Sequence, residues 1–151
     1  MGAYTPISVE AGPAPSLCVC ASLRMATRLV SRHYDRALAP AGISTNEYSI
    51  LVRLGTYGPR PLGSLAALLG MDRSTLSREI APLVEAGLID ATADSADRRL
   101  RVLTVTADGE KRVDEARPLW LKAQAELASE FGDERTTALL GELNALAGAR
   151  Q

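Results

Sequence analysis

Apolar side chains recur every three or four residues in the first part of the chain, which predicts a long helix. It begins near Ser16, a candidate N-cap, and stops at Pro40 and Gly42. Its predicted apolar face comprises Ala26, Leu29, Val30, His33, Tyr34, Ala37 and Leu38. At about 22 residues the helix is long for a small domain, so we expect a partner to cover part of it. Residues 1–16 contain three prolines and no periodicity, which indicates a flexible arm.

A capping box opens the second predicted helix. In Ser44-Thr-Asn-Glu47 the serine caps the helix while the glutamate reaches back to the free amide. The apolar positions are Tyr48, Ile50, Leu51 and Leu54, and the helix is expected to end before Gly55. The following Gly58-Pro-Arg-Pro61 is predicted to form a turn.

Two helices joined by a tight turn follow. The first is predicted over 62–69 and ends at Gly70, and the second is capped by Asp72 or Ser74 and closed by Gly87. The apolar positions of the second helix are Leu76, Ile80, Leu83 and Val84. Residues 88–92 and 100–105 are then short, β-branched and partly alternating, with the charged stretch 95–99 between them. This pattern predicts a β-hairpin with a long charged tip.

The chain ends in two further predicted helices. Thr106 and Asp108 are candidate caps of a helix that reaches about Glu130, and Pro118 is expected to kink it. Its apolar face has the spacing of a coiled-coil seam, at Val113, Ala116, Trp120, Ala123 and Leu127. A last helix starts near Asp133 and carries Leu139, Leu140, Leu143 and Leu146. The order α-α-α-α-β-β-α-α describes a mainly α fold with a small β-hairpin.

The two short helices and the hairpin that follows them predict a winged helix-turn-helix. In that arrangement the second helix fits the major groove of double-stranded DNA, and its N-terminal residues face the base edges. The predicted exposed positions there can all donate hydrogen bonds: Arg73, Ser74, Thr75, Ser77 and Arg78. Arg78 suits a guanine and the Thr75 methyl suits a thymine methyl. The hairpin tip presents Arg98, Arg99 and Arg101, which suit phosphates and a narrow minor groove, and Asp97 is placed to hold one of them.

Four stretches of the sequence resemble the MarR family of bacterial transcriptional regulators. Residues 65–89, with Met71-Asp-Arg-Ser-Thr-Leu-Ser-Arg78 within them, look like its recognition segment. Asp97-Arg-Arg99 and the later Leu103-Thr-Val-Thr-Ala-Asp-Gly109 resemble its wing and the signature after it. Residues 24–40, with Tyr34-Asp35 and Leu38-Ala-Pro40, resemble its first helix. Together the resemblance covers roughly residues 17–147.

The resemblance implies a homodimer that binds a pseudo-palindromic operator and represses nearby genes. Residues 17–151 would form one domain, with dimerisation helices at 17–42 and 107–151 and a DNA-binding lobe at 44–106. Family members release DNA when a small ligand binds or when a cysteine is oxidised. By the family pattern Ser74, Thr75, Ser77 and Arg78 contact the major groove, and Arg99 is the wing arginine paired with Asp97. Pro82 departs from the common pattern and removes one hydrogen bond of the recognition helix.

Two sets of residues near the start are candidates for the control of DNA binding. Cys18 and Cys20 lie at the start of the first helix, where the helix dipole favours a thiolate. They are either a redox sensor, as in the peroxide regulators of the family, or small residues packed at the dimer seam. Arg24 and Arg28 begin a row of arginines at four-residue spacing that continues with Arg32 and Arg36. That row is either a solvated face or part of a cleft that binds a small aromatic or phenolic acid.

Composition excludes several other classes of protein. The 151 residues are 46% hydrophobic and 23% charged with a net charge of −1, which is typical of one globular domain. No apolar run approaches the roughly 18 residues of a membrane span, and residues 1–16 do not resemble a secretory signal, so we expect a cytoplasmic protein. The sequence lacks the glycine-rich, nucleophile and acid–base motifs of enzymes, and it predicts no cofactor. The single histidine, His33, lies about 22 Å along the helix from Cys18, so no metal site is expected within one chain.

A dimeric interaction protein that has lost DNA binding is the remaining alternative. Nothing in folding requires Arg78, Arg98 and Arg99, so their presence favours a regulator that still binds DNA. A steep fall of DNA affinity with salt would separate the two, because phosphate contacts release counterions.

Overall fold

A computed structural model describes residues 18–97 and 100–148 of the chain. Six helices and three short strands follow in the order α1 (Val19–Leu38), α2 (Thr45–Tyr57), β1 (Arg60–Pro61), α3 (Leu62–Leu69), α4 (Arg73–Glu85), β2 (Ile89–Ala93), β3 (Arg101–Val105), α5 (Ala107–Phe131) and α6 (Asp133–Gly148). A 3-10 turn, Ala39–Ala41, follows α1. Apart from β1, this is the predicted order of elements, and the mainly helical fold with its hairpin is confirmed. None of the helices in the described ranges is both long and apolar enough to cross a membrane.

The chain divides into two compact units, Met1–Arg32 and His33–Gln151. The described part of the first unit is helical, and its first hydrogen bond runs from the Ser22 amide to the Cys18 carbonyl at 3.0 Å. The predicted arm at 1–16 and the predicted cap Ser16 lie outside the described residues.

The second unit holds the hydrophobic core. The side chains that are almost fully buried come from α1, α2, α3, α4 and β2: Leu38, Ile50, Leu51, Leu54, Leu65, Leu76, Leu83 and Ile89. Tyr48 and Ile80 are also buried, so the predicted apolar faces of α2 and α4 are confirmed at these positions. Val84 is the exception, because it is 38% exposed at the end of α4.

Three of the predicted N-caps are present. The Ser44 hydroxyl accepts the Glu47 amide at 3.3 Å, and the Glu47 carboxylate accepts the Ser44 amide at 2.7 Å, which completes the capping box of α2. Asp72, and not Ser74, caps α4. Thr106 caps α5 by accepting the Gly109 amide at 3.1 Å. Each cap satisfies an amide that the helix itself leaves unpaired.

Two predictions around residue 58 are wrong. Helix α2 continues through Gly55 to Tyr57, because a glycine inside a helix costs only about 1 kcal/mol and does not end it. Arg60 and Pro61 form β1 within the predicted turn, pairing antiparallel with β3 opposite Leu103 and Val102. The sheet order is therefore β1-β3-β2, a hairpin with a third short strand at its edge.

The end of α1 packs on the middle of α5 within the second unit. Tyr34 and Tyr48 both lie near Trp120, with ring centroids 6.4 and 6.0 Å from the indole. Burial raises the pKa of both tyrosines. His33 Nε2 lies 3.0 Å from the Ala123 carbonyl oxygen. Pro118 lies within α5 and does not end it, since the helix continues to Phe131.

Candidate nucleic-acid interface

The turn between α3 and α4 sets the geometry of the candidate interface. Helix α3 ends at Gly70, whose φ of 64° lies in the left-handed region that glycine adopts without strain. Asp72 then starts α4 two residues later. Leu76 is fully buried and Ile80 and Leu83 nearly so, which fixes the inner face of α4 on the core. The opposite face of α4 is consequently free to meet a ligand.

The five α4 residues predicted to contact DNA lie on or beside that free face. Arg73, Ser74, Ser77 and Arg78 are exposed, and Thr75 is half-buried. All five come from the first two turns of the helix, the part that faces base edges when such a helix enters the major groove. The fold therefore brings together a small polar surface with two guanidinium groups and three hydroxyls.

Asp72 organises two of those hydroxyls. Its carboxylate accepts the Ser74 hydroxyl at 2.6 Å, the Thr75 hydroxyl at 2.8 Å and the Thr75 amide at 2.8 Å. These hydrogen bonds hold the pKa of Asp72 far below its ordinary value of 3.8. The structure thus differs from the expectation that Ser74 and Thr75 are free donors. The sequence signal for this contact was an N-cap aspartate followed two and three residues later by hydroxyl side chains.

Arg73 lies against the start of α3. Its guanidinium occupies the space that a Cβ on Gly63 would fill, with Nε 2.6 Å and Cζ 2.8 Å from that position. Gly63 therefore gives Arg73 room to lie along α3 instead of extending from α4. Sequence reasoning did not single out Gly63, because a glycine inside a helix gives no hint of the side chain that packs against it.

The wing is shaped by a carboxylate that the sequence analysis did not name. Asp94 accepts the amides of Ala96 and Asp97 at 2.7 and 2.9 Å, which lowers the pKa of its carboxyl group. The Leu100 amide donates to the Asp97 carbonyl at 2.9 Å and so closes the tip. Asp97 itself is exposed. Arg98 and Arg99 lie outside the described residues, and their proposed pairing with Asp97 stays a prediction.

Arg101 is an exposed residue of β3 whose guanidinium turns back on the hairpin. Its Nη1 donates to the Ala91 carbonyl of β2 at 3.1 Å. This hydrogen bond engages one of the donors of the guanidinium, and others stay available to a phosphate. The predicted phosphate contact of Arg101 is compatible with this position.

Pro82 does not interrupt α4. The helix continues to Glu85, and the Pro82 carbonyl accepts the Ala86 amide at 2.9 Å. A proline has no amide hydrogen, so the Arg78 carbonyl lacks its usual intrahelical donor. The departure from the family pattern therefore removes a hydrogen bond without ending the helix.

The predicted control residues lie in the first unit. Cys18 and Cys20 are free, exposed thiols, and Arg24 and Arg28 are exposed on α1. Across the described ranges no three His, Cys, Asp or Glu side chains are grouped to hold a metal ion. Within the second unit, a cleft of about 330 Å³ lies between the end of α1 and α5. Its polar lining consists of His33, Arg36, Lys122 and Glu126, of which Lys122 and Glu126 are 3.9 Å apart.

Two helices joined by a tight turn and followed by a β-wing define a winged helix-turn-helix protein. The family model described as "MarR family" matches residues 43–100, which include α2, α3, α4 and β2. The solved structure of MosR, a transcriptional regulator of M. tuberculosis in complex with DNA, is 32% identical with a TM-score of 0.76, and the match covers 89% of this chain and 98% of that one. This chain belongs to the MarR family of transcriptional regulators.

Two further relatives agree with this assignment. YwoH of Bacillus subtilis (strain 168), an uncharacterized HTH-type transcriptional regulator, is 28% identical over 112 residues, which are 74% of this chain and 81% of that protein. The transcriptional repressor CouR of Rhodococcus jostii RHA1, solved on a 23-mer DNA duplex, is 25% identical with a TM-score of 0.79. That match covers 91% of this chain and 99% of CouR. CouR has also been solved with p-coumaroyl-CoA bound.

Proposed function

We propose that the chain is a sequence-specific DNA-binding repressor that acts as a homodimer in the cytoplasm and has no enzymatic activity. The observation that carries the proposal is the polar outer face of α4 on a fold whose relatives MosR and CouR are solved on DNA. A helix of this width enters the major groove with its N-terminal residues toward the bases. Ser74, Thr75, Ser77 and Arg78 then lie at the base edges, while Arg73 and the wing residues Arg98, Arg99 and Arg101 serve the phosphates and the minor groove.

The terminal helices support the homodimer. Helix α6 has no buried residue in the described chain, although it carries Leu139, Leu140 and Leu146 at 45%, 51% and 39% exposure. On α1, Val19, Met25 and Leu29 are more than half exposed. Exposed leucines along a helix favour burial against another protein surface. We therefore propose that 17–42 and 107–151 are dimerisation helices and that 44–106 is the DNA-binding lobe of each subunit.

The proposed signal that releases the DNA is a small aromatic or phenolic acid. CouR, which is solved both on DNA and with p-coumaroyl-CoA, the thioester of a phenolic acid, supports control by a ligand that carries a phenolic group. Arg24 and Arg28 stay the proposed carboxylate-binding residues, and the cleft at Arg36 and Lys122 is a second candidate location. The alternative signal is oxidation of Cys18 or Cys20 by a peroxide to a sulfenic acid, which the exposure of both thiols favours.

The proposal is tested by titrating the purified protein with DNA from upstream of its own gene and with random DNA of equal length. We expect tight binding to one site, with an affinity that falls steeply as salt rises. Failure to bind any sequence in a selection from random DNA would refute the function. Addition of p-coumarate-like acids, or of peroxide followed by reductant, then distinguishes ligand control from thiol control.

Two arginine variants test the assignment of roles. Arg78→Ala should lower the discrimination between operator and random DNA by about 1–3 kcal/mol. Arg99→Ala should weaken binding to all sequences and reduce the slope of log affinity against log salt by about one. Arg53→Ala, which removes an exposed arginine from α2, is the matched control and should change neither quantity. Operator binding by both test variants equal to that of the parent would contradict the site.

A further inference from the structure

The hydroxyls of Ser74 and Thr75 have a fixed direction in the structure. A serine or threonine hydroxyl has one hydrogen to donate and two lone pairs to accept with. Ser74 gives its hydrogen to Asp72 Oδ1 at 2.6 Å, and Thr75 gives its hydrogen to Asp72 Oδ2 at 2.8 Å. An ionised carboxylate only accepts, so the direction of both hydrogen bonds is unambiguous. What the two hydroxyls can still offer an outside molecule is their lone pairs.

This geometry has a consequence for base recognition, because the four bases differ in what they present in the major groove. Cytosine presents the N4 amino donor, and adenine presents the N6 amino donor beside the N7 acceptor. Guanine presents two acceptors, and thymine presents an acceptor and a methyl group. A hydroxyl restricted to accepting can pair with an amino group, whereas opposite a carbonyl oxygen it sets two acceptors against each other.

We propose that Asp72 is a specificity-determining residue, which makes Ser74 and Thr75 hydrogen-bond acceptors and thereby selects adenine or cytosine at the positions they face. This inference rests on the proposed function, since it requires α4 in the major groove. Asp72 is a positioning residue here, because it acts through the two hydroxyls. The exposed carboxylate also adds a negative charge at the start of α4, which disfavours acceptor-rich base edges further.

The variant Asp72→Asn reverses the direction of one of these hydrogen bonds, the one made by the Thr75 hydroxyl, with little change in shape. An asparagine is about as good an N-cap as an aspartate, so its side-chain oxygen can keep the Thr75 amide and α4 keeps its start. Its NH₂ group then stands where Oδ2 stood, donates to the Thr75 hydroxyl oxygen and releases the Thr75 hydroxyl hydrogen. The Ser74 hydroxyl shares Oδ1 with the Thr75 amide, so it still donates to the side-chain oxygen of the asparagine. Thr75 then becomes a donor toward the DNA, and Ser74 remains an acceptor.

The experiment is selection of binding sites from random double-stranded DNA by the parent and by D72N, followed by affinities for the four single-base variants at each selected position. Ser74→Ala and Thr75→Val identify the operator positions that the two residues read, because base preference is lost there. At these positions we expect the parent to bind adenine or cytosine with roughly two- to tenfold higher affinity than guanine or thymine. For D72N, the preference at the position read by Thr75 should move toward guanine or thymine, while the position read by Ser74 and the rest of the operator should be unchanged. In the Ser74→Ala, Thr75→Val double variant, D72N should have no further effect on base preference.

A matched control separates hydrogen-bond direction from charge. Glu79→Gln also removes one carboxylate from α4 but does not accept either hydroxyl hydrogen, so it should leave the base preference unchanged. The unfolding midpoint of D72N, measured by circular dichroism, verifies that α4 is intact. An unchanged base preference in a folded, DNA-binding D72N overturns the inference and leaves the proposed function standing. Absence of sequence-selective binding by the parent overturns both.

Discussion

Gly109 lies where the first turn of α5 meets the end of the helix-turn-helix, and replacing it by alanine tests how close that contact is. Gly109 is buried, and a Cβ built on it would collide with the Leu88 carbonyl oxygen and lie 2.7 Å from Val105 Cγ1. The Leu88 carbonyl also accepts the Thr106 amide at 3.1 Å, and this hydrogen bond holds it in place. An added methyl group therefore meets backbone that cannot rotate away.

The expected effect of Gly109→Ala is the difference of two terms. Alanine is favoured over glycine inside a helix by about 1 kcal/mol. Overpacking costs about 1–3 kcal/mol, and a backbone obstacle places this case at the upper end of that range. The free energy of unfolding should consequently fall by about 2 kcal/mol.

The assay is urea unfolding followed by circular dichroism, at one protein concentration because association would shift the midpoint. Gly55→Ala is the matched control, since Gly55 also lies inside a helix and a Cβ there meets nothing within 4 Å. The control should be stabilised by about 0.5–1 kcal/mol. If Gly109→Ala were as stable as Gly55→Ala, the close approach of α5 to Leu88 would be refuted.

Two further predictions concern the helix caps. Ser44→Ala removes the hydroxyl that accepts the Glu47 amide and should lower the free energy of unfolding by about 1 kcal/mol. Ser44→Asp should restore this stability, because aspartate is also a good N-cap. Equal urea midpoints for the parent and Ser44→Ala would contradict the prediction. The pKa of Asp72 is lower in the folded state than its ordinary value of 3.8, which the unfolded chain has. The ionised Asp72 carboxylate therefore stabilises the fold fully above about pH 4, and this stabilisation is lost as the pH falls toward the folded-state pKa. The unfolding free energy of the parent should therefore fall relative to that of D72N below about pH 4, and a constant difference between pH 7 and pH 3 would contradict the assignment.

Local signals made most of the helices predictable. The capping box at Ser44, the glycine at 70 and the caps at Asp72 and Thr106 each act within four residues, and the structure contains all of them. The periodicity of α2 and α4 was informative because both helices bury one face in the same core. Helix α6 was predicted equally well, although it buries nothing within the described chain.

Strand β1 was not predictable in the same way. It is two residues long, and its pairing with β3 joins Arg60 to Leu103, more than forty positions along the chain. No pattern within the segment around Pro61 can show such a partner, and prolines are typical of turns. The exposed Val84 has a similar cause, because helical spacing places it beside Leu83 and only the packed core decides which of the two is buried.

The composition of the candidate interface could be predicted, but its hydrogen bonding could not. The residues of the outer face of α4 follow from the helix period once Leu76 and Ile80 are assigned to the core. The direction of the Ser74 and Thr75 hydroxyls follows from their contact with the Asp72 carboxylate, which only the folded structure shows. The position of the Arg73 guanidinium depends on the missing side chain at Gly63 in another helix.

The signature that linked this sequence to its family, Leu103-Thr-Val-Thr-Ala-Asp-Gly109, has a structural explanation. Leu103 is buried in the core, the Thr106 hydroxyl donates to the Gly87 carbonyl at 2.6 Å, and Gly109 lies on the backbone of Leu88. These contacts join the first turn of α5 to the segment that follows α4, so the two helix ends cannot shift separately. Packing therefore fixes the residues of this junction, whereas Ser77 and Arg78 on the outer face of α4 are exposed. A sequence can consequently keep the signature of the fold while the outer face of α4 changes with the DNA that it reads.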